Sequence, residues 1–471
     1  MGLLVMIVVI IDHSVKTGVT LTPPALQRAE PESMESTMTT PAPDTSPAPR
    51  RTAVPMTTVS PTVDSAPRGY IPSLGVATFA VFLALLTPAL VGLQLKLVDL
   101  VGVQAAPGAL GLVAAVGALF ALFANPLAGR LSDRTLSRFG RRRPWIVGGA
   151  VVGTLALVLI GVANSVALVL VGWCLAQAAF NAALAAVTAT MPDQVPERQR
   201  GRASSIMGIG TPLAILVGSA SVALLPSDVL RFAVPGIIAL LGCLLFAAVL
   251  QDRRARPDER PPFDLRGFFG SFVFNPRKNP DFAWNWLSRF LMFFGYTGIG
   301  SYLAFFVLER FAVPGDQVAG VILLANVCSV IGMVAASIVG GALSDRIGMR
   351  RPFVAAAGLI MVAGLVVLAF APSLGVLYAA EALIGIGFGS YLAVDLALAT
   401  SVLPNEADRA KDLGVLNIAN ALPQSIAPAV APAVIAAGAA LPFGGYSTWF
   451  LLGALVAAVG ALLVYRVKGV R

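Results

Sequence analysis

Charge is what this chain has least of. Asp, Glu, Lys and Arg together make up 12% of its 471 residues, against 57% hydrophobic residues and a mean hydropathy of +0.83. A water-soluble protein of this length needs far more charge to cover its surface, so that class is excluded. Histidine is nearly absent. The one copy, His13, lies in the N-terminal stretch, which leaves the hydrophobic remainder without histidine catalysis or a histidine metal site. Cysteine is scarce as well. Cys174, Cys243 and Cys328 sit inside apolar runs without metal-ligand spacing and read as small buried residues. No metal or cofactor is expected. A nucleophile–base set and a Gly-x4-Gly-Lys-Ser/Thr phosphate loop are both missing, which disfavours an enzyme.

Long apolar runs are what the chain does have. Several exceed the roughly 18 uncharged residues that cross a bilayer, so the expected fold class is an all-α polytopic membrane protein. Residues 1–69 differ, being rich in Pro, Thr, Ser and Ala, and read as a disordered cytoplasmic tail. The apolar start, Leu3 to Ile11, is too short to span and lacks the basic flank of a signal peptide. Met34 and Met56 are alternative starts. Twelve spans follow, near 73–96, 108–128, 145–163, 166–190, 205–225, 231–250, 284–308, 316–342, 353–371, 374–402, 413–437 and 443–465. The pattern divides into a six-helix bundle over 70–250, a cytoplasmic linker over 251–281, a second six-helix bundle over 282–466 and a short tail, 467–471. Pro423, Pro428 and Pro432 predict a kinked or irregular eleventh span.

The net charge of +9 arises from arginines in short loops, so it orients the chain and does not point to nucleic acid. Loops 2–3, 4–5, 6–7, 8–9 and 10–11 carry Lys and Arg, whereas loops 3–4, 9–10 and 11–12 carry none. The positive-inside rule then places both termini in the cytoplasm, and the Ala-, Val-, Gly- and Arg-rich composition fits a plasma membrane.

One loop occurs twice. Gly129-Arg-Leu-Ser-Asp-Arg134 continues through Arg138 and Gly140 to Arg141-Arg142-Arg143-Pro144. A shorter copy, Gly341-Ala-Leu-Ser-Asp-Arg346, continues to Arg350-Arg351-Pro352. Each sits between two spans, as expected of a duplicated membrane unit. Both copies resemble the loop 2–3 and loop 8–9 signature of the major facilitator superfamily, over the whole stretch from the first span to the last. The extended first loop and Leu85-Leu86-Thr87-Pro88 are similar to the sucrose–proton symporters, which stand near the glycoside-pentoside-hexuronide cation symporters. That resemblance implies two pseudo-symmetric six-helix halves, a monomer, and alternating access for a sugar or glycoside with proton coupling. It also implies a conformational latch of Gly129, Asp133, Arg134, Asp193, Gly341, Asp345 and Arg346. In it Asp133 meets span 11, Arg134 meets Asp193, and Asp345 meets span 5. The residues alone read Arg141 to Arg143 as orienting charges.

Ionisable groups inside the hydrocarbon are costly, so each is a candidate. Span 10 carries Glu381 and Asp395, 14 residues or about 21 Å apart on roughly one face, and they are the coupling candidates. Arg289 in span 7 is either a buried cation or a snorkelling one. Asn125, Gln177 and Asn181, with Asn326, Asn417, Asn420 and Gln424 in the second half, are cavity candidates. Amides suit hydroxyl recognition but also glue helices together, and both roles stay open. Trp284, Trp286 and Tyr296 could stack on a sugar ring, and for Trp284 and Trp286 the alternative is an interfacial anchor. Relative to the resembling families, spans 2 and 4 carry amides where melibiose-type symporters have aspartates, which argues against sodium. The first span lacks the acid of the sucrose symporters. An efflux carrier or a non-transporting receptor on the same fold are the alternatives.

Overall fold

The structure, a computed structural model, describes residues 65–253, 275–347, 349–402 and 409–468. Its long elements among these residues are all helices: α1 Tyr70–Thr87, α2 Leu93–Asp133, α3 Arg143–Val162, α4 Val166–Gln194, α5 Glu197–Leu224, α6 Asp228–Val249, α7 Pro280–Gly300, α8 Leu303–Phe311, α9 Gly315–Ile347, α10 Arg350–Ala369, α11 Leu374–Ser401, α12 Arg409–Gly438 and α13 Gly445–Leu463. Local signals set several starts. Ser165 and Ser227 accept from the N–H groups of Leu168 and Leu230, and Pro280 stands at the first turn of α7.

Among the described residues, ten elements are long and apolar enough to cross a bilayer, and the bent pair α7–α8 makes eleven. The first element, Tyr70–Asp133, has 64 residues and includes a π turn, Pro88–Gly92, between α1 and α2. A straight helix of that length would measure about 96 Å, three times the hydrocarbon thickness. It is broken inside α2 at Gly102 (φ 78°, ψ 163°), backbone that a side chain would strain. Two passes result, for twelve spans in all. Span 7 is the bent pair, and α9 to α13 are spans 8 to 12.

The two halves repeat one packing scheme. Spans 2 and 4, 3 and 4, 1 and 6, 3 and 6, and 1 and 5 pack in the first half. Spans 8 and 10, 9 and 10, 7 and 12, 9 and 12, and 7 and 11 do so in the second, and spans 2 with 11 and 5 with 8 join the halves. Lipid is as apolar as Leu, so small residues must bring such helices close. Gly385 and Gly389 of α11 do this against α9, where a Cβ on either would collide with the carbonyl oxygen of Ser329 or Met333.

One expectation is corrected. Span 7 is not one helix over 284–308 but two segments bent by 49° around Ser301 and Tyr302. In span 11, α12 continues as helix through Pro423, Pro428 and Pro432, and the carbonyl that Pro432 leaves without a donor, that of Pro428, accepts from the Tyr302 hydroxyl. Most of the expected tail, residues 1–64 of 1–69, and most of the linker, 254–274 of 251–281, lie outside the described residues.

Candidate functional site

Arg289 and Asp395 meet in the interior. The Arg289 guanidinium lies 2.5 Å from the Asp395 carboxylate, joining α7 to α11, and Arg289 Nε donates to Asn420 Oδ1 of α12 at 2.6 Å. Arg289 is 8% exposed and Asp395 2% exposed, so Arg289 does not snorkel. Two charges taken out of water need good geometry and further hydrogen bonds to persist, and Asn420 supplies one. Tyr391, one turn before Asp395, lies within electrostatic reach of the pair, and Phe293 faces the guanidinium at 5.7 Å.

An aromatic wall continues from the pair along α7 and α11. Tyr296 stacks on Phe388 with centroids 3.6 Å apart, and Phe293 meets Phe388 and Tyr391 edge-on. Beyond it, Glu381 is buried with Ser329 and Tyr296 as neighbours. No Lys or Arg among the described residues makes an ion pair with it, so the two acids of α11 have different surroundings.

The amide candidates divide. Asn420 belongs to the charged site. Gln424 Nε2 donates to the Asn420 carbonyl at 3.3 Å, and Gln424 and Asn417 are exposed. Asn181 Nδ2 donates to Gln177 Oε1 at 3.0 Å, so this pair is partly self-satisfied, and Asn125 is half-buried. Asn326 donates to Ser219 Oγ at 2.8 Å and thereby joins the halves. Trp286 donates to the Val415 carbonyl and stacks on Phe290 with centroids 5.6 Å apart, and Arg466 lies 5.8 Å over the Trp284 ring.

The loop signature makes contacts that the sequence did not indicate. Asp133 pairs with Arg142 at 2.6 Å and Arg141 at 3.8 Å, and Asp193 pairs with Arg141 at 2.6 Å and Arg142 at 3.8 Å. Asp193 thus carries Arg141 and Arg142, two residues that the expected latch did not include. Arg142 is buried and also donates to Ser132 Oγ. Burial pulls its guanidinium below the ordinary range and Asp133 pulls it back up. Asp252, not singled out from sequence, accepts from the N–H groups of Arg142 and Arg143 at 2.7 and 2.8 Å, an acid on the positive end of α3. A Cβ on Gly129 would meet nothing within 4 Å, one on Gly341 would be in ordinary contact with Ala393, and Arg346 is exposed. The side chain of Asp345 lies outside the described residues, as do residues 403–408, which immediately precede span 11.

Further charge lies at the opposite end of the first half, where Lys96, buried, pairs with Asp228 at 3.2 Å and donates to the Gly161 carbonyl. Among the described residues no group of His, Cys, Asp and Glu could hold a metal ion.

Comparison with known proteins accords with this geometry. The chain is 46% identical over 57 residues to a sucrose transport protein of Arabidopsis thaliana, covering 12% of this chain and 10% of that protein. It is 30% identical over 122 residues to a general alpha-glucoside permease of Schizosaccharomyces pombe, covering 22% of each. The matches thus span about a tenth and a fifth of those relatives. A mutant of the nucleoside transporter NupG superposes with a TM-score of 0.69 at 14% identity, over 84% of this chain and 99% of that one. A D-xylose–proton symporter superposes at 0.64 with 16% identity, over 85% and 99%. Such identities speak for the fold alone. The family model of the Major Facilitator Superfamily matches residues 73–335 and 317–470. With twelve spans in two repeated halves and a loop signature in each, this chain belongs to the major facilitator superfamily of membrane transporters.

Proposed function

We propose that the protein is a proton-coupled symporter of a sugar or glycoside, working by alternating access between bundles over 70–250 and 282–466. The observation that carries this reading is the buried Arg289–Asp395 pair with Asn420. A carboxylate held by a cation inside the bilayer is a group whose proton occupancy changes its partner. When Asp395 takes up a proton, the pair loses its attraction and Arg289 and Asn420 are released toward the solute. When the proton leaves, the pair re-forms and the site is reset. The names of the curated relatives, a sucrose transport protein and an alpha-glucoside permease, support a sugar. The exposed amides Asn417 and Gln424 suit hydroxyl groups because each donates and accepts. The basic loops favour cytoplasmic termini and the composition a plasma membrane, with the Asp133–Arg142 and Asp193–Arg141 pairs tying loop 2–3 to the end of span 4. The protein acts as a monomer and needs no cofactor.

Uptake of labelled disaccharides into proteoliposomes tests this reading. Accumulation is expected only with an inward proton gradient, and equilibration without accumulation under that gradient would contradict it. Glu381 provides a contrast within the same helix. Because it faces Ser329 and Tyr296 and no ion-pairing cation, Glu381→Gln keeps its shape and hydrogen bonding. Gradient-driven uptake is expected to stay within about threefold of the parent, a change of less than about 1 kcal/mol. A loss as large as that of Asp395→Asn would make Glu381 a coupling acid too.

A further inference from the structure

The break in span 7 has an unusual partner. In a continuous helix the Ala304 N–H would donate to the Gly300 carbonyl four residues earlier. Here Ala304 N donates to Gln94 Oε1 at 3.1 Å, and Gln94 Nε2 donates to the Gly300 carbonyl at 3.0 Å. One amide from α2, in the first half of the protein, therefore occupies the missing rung of a helix in the second half. Its other N–H donates to the Leu90 carbonyl, so both amide hydrogens and the oxygen are used, and Gln94 is fully buried. The bend is braced on either side. Trp449 Nε1 donates to the Gly298 carbonyl at 2.8 Å. The Tyr302 hydroxyl donates to the Pro428 carbonyl at 3.0 Å and lies 3.3 Å from the Pro107 carbonyl of the first half. Residue 432 is a proline without an N–H, so the Pro428 carbonyl has no helical donor, and the hydroxyl fills that vacancy. Beside it Gly111 packs its backbone against Pro428 and Pro432, where a Cβ would lie 2.8 Å from the Pro428 oxygen. All these contacts lie at the end of the bundle away from the duplicated basic loops, and those of Gln94, Tyr302 and Gly111 tie the two halves together there.

We propose that Gln94 is the positioning residue of a gate. It keeps span 7 bent while this end is closed. When the halves part here, its amide withdraws, the Ala304 N–H rejoins the Gly300 carbonyl, and α7 and α8 become one helix. The inference rests on alternating access but on neither the solute nor the proton. Its physical basis is an exchange: the backbone rung and the Gln94 amide compete for the same donor and acceptor, so neither state leaves those two groups unpaired.

Gln94→Met separates the two states, because a near-isosteric apolar side chain strands the Ala304 N–H and the Gly300 carbonyl only in the bent, closed form. Gln94→Asn, one methylene shorter, cannot reach both groups and should act in the same direction. The probe is a membrane-impermeant thiol reagent on Ala106→Cys, a buried position beside Pro107, in the full-length protein in membranes without solute or gradient. The same chain without the added cysteine corrects for Cys174, Cys243 and Cys328. Labelling from the side opposite the basic loops is expected to rise about tenfold in Gln94→Met. Labelling within about twofold of the parent in both variants would overturn the gate, and it would leave the carrier reading standing, since no transport is measured. Failure of both variants to reach the membrane would overturn it as well, in favour of a folding role. Failure of sugar uptake with raised labelling would overturn the proposed function and leave the gate intact.

Discussion

Arg289→Leu is expected to abolish gradient-driven accumulation and to lower the thermal stability of the purified protein. The substitution leaves Asp395 in the interior without its cation and leaves Asn420 Oδ1 without its donor. Breaking a buried pair on one side costs about 3–5 kcal/mol, because the remaining charge is uncompensated. Asp395→Leu alone strands Arg289 and should cost a similar amount. The double variant removes both charges, and replacing a whole buried pair by apolar groups is often neutral. Its melting temperature is therefore expected to return close to that of the parent, while accumulation stays absent because no coupling acid remains. The non-additivity in stability should be at least about 2 kcal/mol, as for contacting residues that act as a unit. Additive losses in the double variant would mean that the two side chains act separately.

Gly389→Leu is expected to give no folded protein, measured as the monodisperse fraction in size-exclusion chromatography after extraction. Gly389 faces the Met333 backbone of α9, and Gly385, one turn away, faces Ser329 in the same seam. A side chain there meets backbone, which cannot rotate away, so α9 and α11 must part. Parting them displaces Asp395 and Glu381, which α11 carries, and the cost should exceed about 3 kcal/mol. Gly389→Ala should show the same defect in weaker form. A monodisperse, transporting Gly389→Leu variant would mean that the helices can separate here at no cost.

Much of this architecture was legible in the sequence for a simple reason. A bilayer demands about 20 apolar residues per pass, and runs of that length stand out regardless of packing. The ionisable residues Arg289, Glu381 and Asp395 stood out for the converse reason, since charge inside hydrocarbon is rare and expensive. Their pairing did not, because α7 and α11 approach one another only through tertiary packing. The same holds for Asn420, one of several amides until Arg289 points at it. The span 7 break was invisible because Gly298, Gly300 and Ser301 lie in an otherwise helix-length apolar run, and the groups that stabilise the bend come from α2, α12 and α13. Gln94 carries no charge to mark it, although an amide among Leu93, Leu95 and Leu97 has the same kind of burial cost as Arg289, Glu381 and Asp395. Arg141 and Arg142 were read as orienting charges because a topology rule counts charges and ignores their partners. Asp133, Asp193 and Asp252 give them specific bonds as well.

Proton movement on addition of solute tests the central claim most directly. In a lightly buffered suspension of proteoliposomes, adding a transported sugar to the parent protein should make the outside more alkaline as protons enter with it. Asp395→Asn should equilibrate sugar with no pH change. Sugar entry without alkalinisation in the parent, or alkalinisation of the same size in Asp395→Asn, would contradict the account.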